Sequence, residues 1–196
     1  SGNSLFNISE YDNISFNKGE FNYKAQIGNL VNDYGQGGIH GCIEPGVYKS
    51  DSTHMILDID VASYYPNLAI NNNIRPKHLG KAFSKIYSSI YTLRKTFPKK
   101  DPRNIACKLM LNGSFGKMNS IYSFLYDPKS LLGITLNGQL LLSMLMEKLS
   151  LEINDITFLQ SNTHGFTLRI PKDQEQPVKQ IVSKCEKLTD LEIEYA

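Results

Sequence analysis

Cysteine is scarce in this 196-residue chain: Cys42, Cys107 and Cys185 are odd in number, scattered and without metal-ligand spacing. That argues against a disulfide scaffold or a zinc site and fits a reducing compartment. Long apolar runs are missing too. The richest window, 131–149, is interrupted by Asn137, Gln139 and Glu147, so no membrane span is expected. The N-terminal residues lack a secretory signal pattern, and there are no repeats or low-complexity tracts. The expectation is a soluble, cytoplasmic monomer with no membrane partner. The chain opens Ser-Gly-Asn-Ser without a Met, as a cloning remnant or an excised fragment would.

What is present is an ordinary globular composition, 41% apolar and 20% charged, long enough to bury a core as one domain or one domain with a protruding module. The net charge of +2 hides an asymmetry. Residues 74–117 carry eleven Lys or Arg against one acid, Asp101, while the remainder holds 10 bases and 18 acids. A solvated basic face accounts for most charge runs. A single segment with over half of the bases points instead toward phosphates.

Along the chain, residues 1–33 read as an irregular lead-in with a few strands. "YGQGGIHGCIEPGVYKS" follows, its glycines and Pro45-Gly46 marking tight turns; with no Gly-Lys-Ser/Thr after it, a nucleotide loop is disfavoured. "HMILDIDVASYYPNLAI" begins as a strand with Met55, Leu57 and Ile59 on one face and Ile56, Asp58 and Asp60 on the other. From Lys77 to Phe97 a stripe of Phe83, Ile86, Ile90, Leu93 and Phe97 predicts a helix. A Pro98 to Pro102 break separates it from a second helix over 103–117, making an antiparallel hairpin. "NGQLLLSMLMEKLSLE" predicts a helix apolar on most sides, packed on a sheet. "TFLQSNTHGFTLRI" reads as a hairpin whose turn is Ser161-Asn162-Thr163-His164, followed by a helix near 178–187 and the strand "LEIEY".

In the second hairpin helix, Lys108, Asn112 and Gly116 recur every four residues, giving a basic and a polar side chain with a bare surface one turn on. Arg94 and Lys108 are expected at similar heights above the hairpin tip, where together they could grip one anion such as a triphosphate. Alone, they would be two solvated cations.

They are not alone. "DVASYYPNL", Asp60 to Leu68, resembles motif A of family B DNA polymerases, with Tyr64 where Leu is usual. "KLMLNGSFG", Lys108 to Gly116, is similar to motif B, departing at Gly113 and Phe115, and "SNTHG", Ser161 to Gly165, looks like motif C. The order of the three, and their strand, helix and hairpin contexts, agree. "GGIHG", "PKHLG" and "GQLLL" are similar to elements of the phage-encoded members. The resemblance implies an α+β fold: a palm, an antiparallel sheet backed by helices, formed by 34–73 and 118–196, with a fingers hairpin at 74–117.

The resemblance also implies roles. Asp60 would bind catalytic Mg²⁺, with Asp58 a weaker candidate. Amides around Val61, Ala62, Ser63 and Tyr64 would cradle the triphosphate of a dNTP, and Tyr65 would pack under the deoxyribose and reject a 2′-hydroxyl. Asn112 would join the nucleotide pocket, and Arg94 and Lys108 would neutralise phosphates. Tyr34 with Gly37 and Gly38 resembles a loosened template-contacting element, for which a plain turn is an equal alternative. Gly116 and Thr163 complete the expected contacts with primer-template DNA.

Motif C carries the departure that matters. Asn162 stands at its first acidic position, as in similar phage proteins, but His164 replaces the second metal-binding Asp. Mg²⁺ prefers hard oxygen ligands, whereas imidazole suits Mn, Zn or Ni. Magnesium-dependent synthesis is therefore expected to be crippled, with Mn²⁺ a partial substitute. The 32 residues after His164 leave no room for a thumb, nor the first 30 for an exonuclease, so a core cut or reduced from a larger polymerase is expected. The alternative is a polymerase-like nucleic-acid or nucleotide binder without turnover. A reverse transcriptase is a distant third, since motif C lacks Asp-Asp. Asp60 and His164 are expected to meet on adjacent antiparallel strands.

Overall fold

The computed structural model describes residues 6–8, 14–16 and 23–195; much of the expected lead-in lies outside them. The architecture is α+β and divides into two compact units. Gly19–Tyr64 and Leu136–Ala196 form one, Ser1–Lys18 and Tyr65–Thr135 the other.

The first unit is built on a seven-stranded antiparallel sheet. Its strands are β3 (Tyr23–Ile27), β4 (Leu30–Tyr34), β5 (Ile39–Cys42), β6 (His54–Val61), β7 (Thr157–Asn162), β8 (Gly165–Pro171) and β9 (Ile193–Tyr195), in the order β3-β4-β5-β7-β8-β6-β9; β1 (Phe6–Ile8) and β2 (Ile14–Phe16) pair separately. β3 and β4 thus join the sheet, although 1–33 reads as a lead-in. Their five-residue runs are too short to show a decisive period.

The alternation read in β6 holds. Leu57, Ile59 and Val61 are buried, while Asp58 and Asp60 lie on the open face. In β8, Phe166 and Leu168, opposite Ile59 and Leu57, are buried with them, and Phe158 of β7 meets Phe166 edge-on at 5.7 Å. On the helical side, α4 (Pro128–Glu152) contributes Leu142, Met146 and Leu149, and α5 (Glu175–Thr189) contributes Val178 and Val182. α4 is less uniformly buried than its composition suggests, with Leu140 and Met144 exposed. Gln139 of α4 donates to the Gly35 carbonyl at 2.6 Å, and Ser143 and Tyr34 share a hydroxyl hydrogen bond at 2.7 Å. At the start of β6, Asp51 accepts the Thr53 and His54 amides, each at 2.8 Å, and the Arg169 guanidinium at 2.7 Å. Those backbone donors, with the Thr53 hydroxyl and Arg169, hold its carboxyl far below the usual carboxylate range.

The second unit contains the expected helical hairpin, α2 (Gly80–Lys95) and α3 (Pro102–Lys117). Asp101 caps α3 by accepting the Arg103 amide, with Pro102 in the first turn where it sacrifices no hydrogen bond. The apolar stripe is rotated from the one read in the sequence. Ile86 and Leu93 are exposed, whereas Tyr87 is buried and donates its hydroxyl to the Leu111 carbonyl at 3.0 Å. Tyrosine satisfies both an apolar and a polar requirement at the interface, so its polar hydroxyl disguised a core position. Asn104, Cys107 and Leu111 are the buried positions of α3.

Candidate functional site

The Asp60 and His164 positions do meet. Seven residue pairs align β6 with β8, ending at Asp60 opposite Gly165, and the His164 carbonyl accepts the Val61 amide at 2.9 Å. The side chains touch as well: His164 Nδ1 lies 2.5 Å from Asp60 Oδ1. A carboxylate only accepts, so the ring donates from Nδ1. Both side chains are about half exposed. Tyr64 presents its buried ring edge-on to His164 at 6.5 Å.

The turn that presents His164 is tighter than expected. β7 runs through Asn162, leaving only Thr163 and His164 between the strands. Asn162 Oδ1 accepts the amides of His164, at 3.1 Å, and Gly165, at 2.9 Å, so this side chain organises the turn. Gly165 is there for space: a Cβ would lie 2.3 Å from the Ile59 carbonyl oxygen and 2.7 Å from Asp60 Oδ1. A Cβ on Gly38 would meet Thr163 Cγ2 at 2.8 Å, which packs the Gly37-Gly38 loop against the turn. Thr163 also reaches His40 at 3.5 Å.

Asp58, Asp60, Asn162, His164, Glu194 and Tyr195 line a cleft of about 330 Å³ with Ile59 and Phe166. Glu194 faces Asp60 across the β6–β9 pair. It is a site residue that the sequence reading passed over; the alternation in "LEIEY" marks the strand but not its place beside Asp60. Asp58 accepts the Thr167 hydroxyl across β8.

Asp58 and Asp60 are each partly engaged within the cleft. One Asp60 oxygen is engaged by an imidazole, one Asp58 oxygen by a hydroxyl, and no cluster of three or more His, Cys, Asp or Glu among the described residues is placed to hold a metal ion.

Two amides of the expected phosphate cradle already have backbone partners. The Val61 amide is spent on His164, and the Ala62 amide donates to the Glu192 carbonyl at 2.9 Å, because β9 extends the sheet past β6. Ser63 adopts a left-handed backbone, φ 49°, between β6 and α1 (Tyr64–Asn71), a conformation that is costly without glycine. The Tyr34 hydroxyl is hydrogen-bonded to Ser143.

In the other unit, Tyr65 is half-buried and stacks on Phe115 of α3, ring centroids 3.9 Å apart and planes 13° from parallel; burial raises its phenol above the ordinary value. The aromatics of "DVASYYPNL" and "KLMLNGSFG" are therefore one packed pair. Lys108, Asn112 and Gly116 are exposed along α3. Arg94 is used at the hairpin tip, its Nε donating to Asn104 Oδ1 at 3.1 Å, while Asn104 donates to the Arg94 and Phe97 carbonyls.

No helix among the described residues is long and apolar enough to cross a membrane. No protein-family model and no curated protein matches the chain.

Proposed function

We propose that this chain is a DNA-polymerase-type domain that engages primer-template DNA and dNTPs, and in which template-directed DNA synthesis in Mg²⁺ is suppressed at the Asp60–His164 pair. The observation carrying this reading is that pair itself. An aspartate at a strand end and a two-residue hairpin turn on the neighbouring antiparallel strand converge on one open cleft. The exposed Lys108, Asn112 and Gly116 along α3 and the Tyr65–Phe115 stack support a nucleotide-binding role in the other unit. This chain's own residues would bind and orient: cations on the hairpin neutralise phosphate, and Tyr65 sets the floor under a sugar. What they lack is a second carboxylate beside Asp60 on the turn.

The same imidazole-carboxylate bond favours a second reading, a nucleic-acid and nucleotide binder with no turnover. Primer extension by the unaltered chain and by His164→Asp separates the two. The unaltered chain should extend a primed template negligibly in Mg²⁺, with slight rescue by Mn²⁺. His164→Asp should raise extension by about two orders of magnitude or more, the scale of restoring a group that stabilises transition-state charge. Vigorous Mg²⁺-dependent extension by the unaltered chain would refute the suppression. A His164→Asp chain that binds primer-template yet stays inert would leave the binder reading standing instead.

A further inference from the structure

Between α3 and α4, residues 119–127, "NSIYSFLYD", form a loop that holds apolar side chains out in water. Ile121 is 68% exposed, Tyr122 93% and Phe124 78%. The backbone beneath them is tightly tied. The Asp127 amide donates to the Met118 carbonyl at 2.9 Å and closes the loop, while Ser123 donates to Ser120 and Tyr126 to Ser123 at 2.9 and 3.0 Å. Met118 and Leu125 are buried as its feet. From the segment before α2, His78 Nε2 donates to the Phe124 carbonyl at 2.7 Å, and the Lys77 amide donates to Asp127 Oδ2 at 2.8 Å. Such a platform holds the backbone that carries the rings without covering them. Adjacent exposed apolar side chains of this kind mark an interaction surface.

The surrounding charge indicates the partner. Lys117 and Lys129 flank the loop in the chain, and the segment bonded beneath it supplies Arg75 and Lys77. Asp127, the acid within the loop, is spent on the Lys77 and Ser130 amides. Exposed rings with lysine and arginine around them suit unpaired bases, whose faces stack on aromatics while phosphates meet the cations. A duplex hides those faces. A bilayer anchor needs a broader apolar face than three side chains on a short loop.

We infer that the 119–127 loop is a docking site for single-stranded nucleic acid, with Tyr122 and Phe124 stacking on bases and Lys117 and Lys129 meeting phosphates. The inference rests on the polymerase-type reading for the class of partner and on the loop's own geometry for the place. The test is fluorescence anisotropy of a labelled oligo-dT with the whole chain, its Tyr122→Ala/Phe124→Ala variant and its Lys117→Gln/Lys129→Gln variant, alongside a primer-template duplex. Removing the rings should weaken oligo-dT binding about tenfold or more per ring with an unchanged salt slope. Removing the lysines should flatten that slope. Duplex binding should hold in the ring variant, and its thermal midpoint should match the parent's because both rings lie in solvent. Unchanged oligo-dT affinity in the ring variant, with duplex binding intact, would overturn the site alone. A parent chain that binds neither oligo-dT nor duplex would overturn the polymerase-type reading and the site together. Ring-dependent binding to phosphatidylglycerol vesicles with none to oligo-dT, or ring-dependent self-association with none, would likewise overturn the site.

Discussion

Gly165→Ala tests the site's geometry more sharply than any change to its polar groups. The added methyl would sit 2.3 Å from the Ile59 carbonyl oxygen and 3.0 Å from Asp60 Cα, and backbone atoms cannot swing aside as a lysine tip can. Relief requires β6 and β8 to part at the Asp60–Gly165 end. That endangers the Val61 amide to His164 carbonyl bond and the Asn162 to Gly165 bond. Overpacking of this kind costs about 1–3 kcal/mol, and each lost hydrogen bond about 1 kcal/mol. A loss of roughly 3 kcal/mol corresponds to a fall in Tm of about 6–12 °C at this chain length. Urea denaturation followed by circular dichroism, together with thermal scans, would measure it. Gly113→Ala is the matched control: nothing lies within 4 Å of its Cβ position, and the residue is exposed within α3. It should stabilise by up to about 1 kcal/mol through helix propensity. A Gly165→Ala protein whose stability matches or exceeds the parent's would refute the close approach of β6 and β8 on which the site depends.

Asn162→Ala should lower stability by about 1–2 kcal/mol by orphaning the two turn amides, whereas Asn162→Asp, which keeps the acceptor, should lose much less; urea midpoints decide between an organising and a passive side chain. The Asp51 carboxyl is depressed on folding, so its contribution is complete above its unfolded value of 3.8 and drains away as pH falls through the lower folded value. The parent's urea midpoint should therefore drop more steeply than that of Asp51→Asn between about pH 4 and pH 2. Parallel curves would remove Asp51 from the acid transition.

The legible parts of the molecule were those where one period dominated. β6 alternates cleanly, so the face carrying Asp58 and Asp60 could be read from the chain, and the hairpin bearing His164 was marked by two β-prone runs around a polar turn. α4 was legible only in its second half. Its true start carries a signal that was there to be used: Asp127, Pro128 and Ser130 form an N-cap, with Asp127 Oδ1 accepting the Ser130 amide at 2.9 Å. Tyr87 was hidden because its hydroxyl masks a buried ring, and the Arg94–Asn104 staple because both residues look like surface groups until the hairpin closes. Glu194 was hidden for another reason. Its place opposite Asp60 depends on β9 joining the sheet beside β6, a long-range pairing that no local pattern encodes.

Asn162 and His164 within "SNTHG" have different physical weights. At 162 the turn needs an acceptor for two amides, and an amide oxygen serves that need as a carboxylate oxygen would, so Asn there leaves the hairpin intact. At 164 the side chain points at Asp60, in a cleft that also holds Asp58 and Glu194. Three acidic residues on one open face repel one another unless something positive or donating stands among them. A metal ion would supply that, and so does an N–H. His164 donates to the Asp60 oxygen that a metal would need, so the imidazole satisfies the local electrostatics and competes for the ligand at the same time. Since both partners are about half exposed, the bond is worth no more than about 1 kcal/mol. A ligand that binds Asp60 strongly could therefore displace the ring at modest cost. On the polymerase-type reading proposed above, the want of a second carboxylate on the turn, rather than the hold of the imidazole on Asp60, would be the larger obstacle to magnesium chemistry.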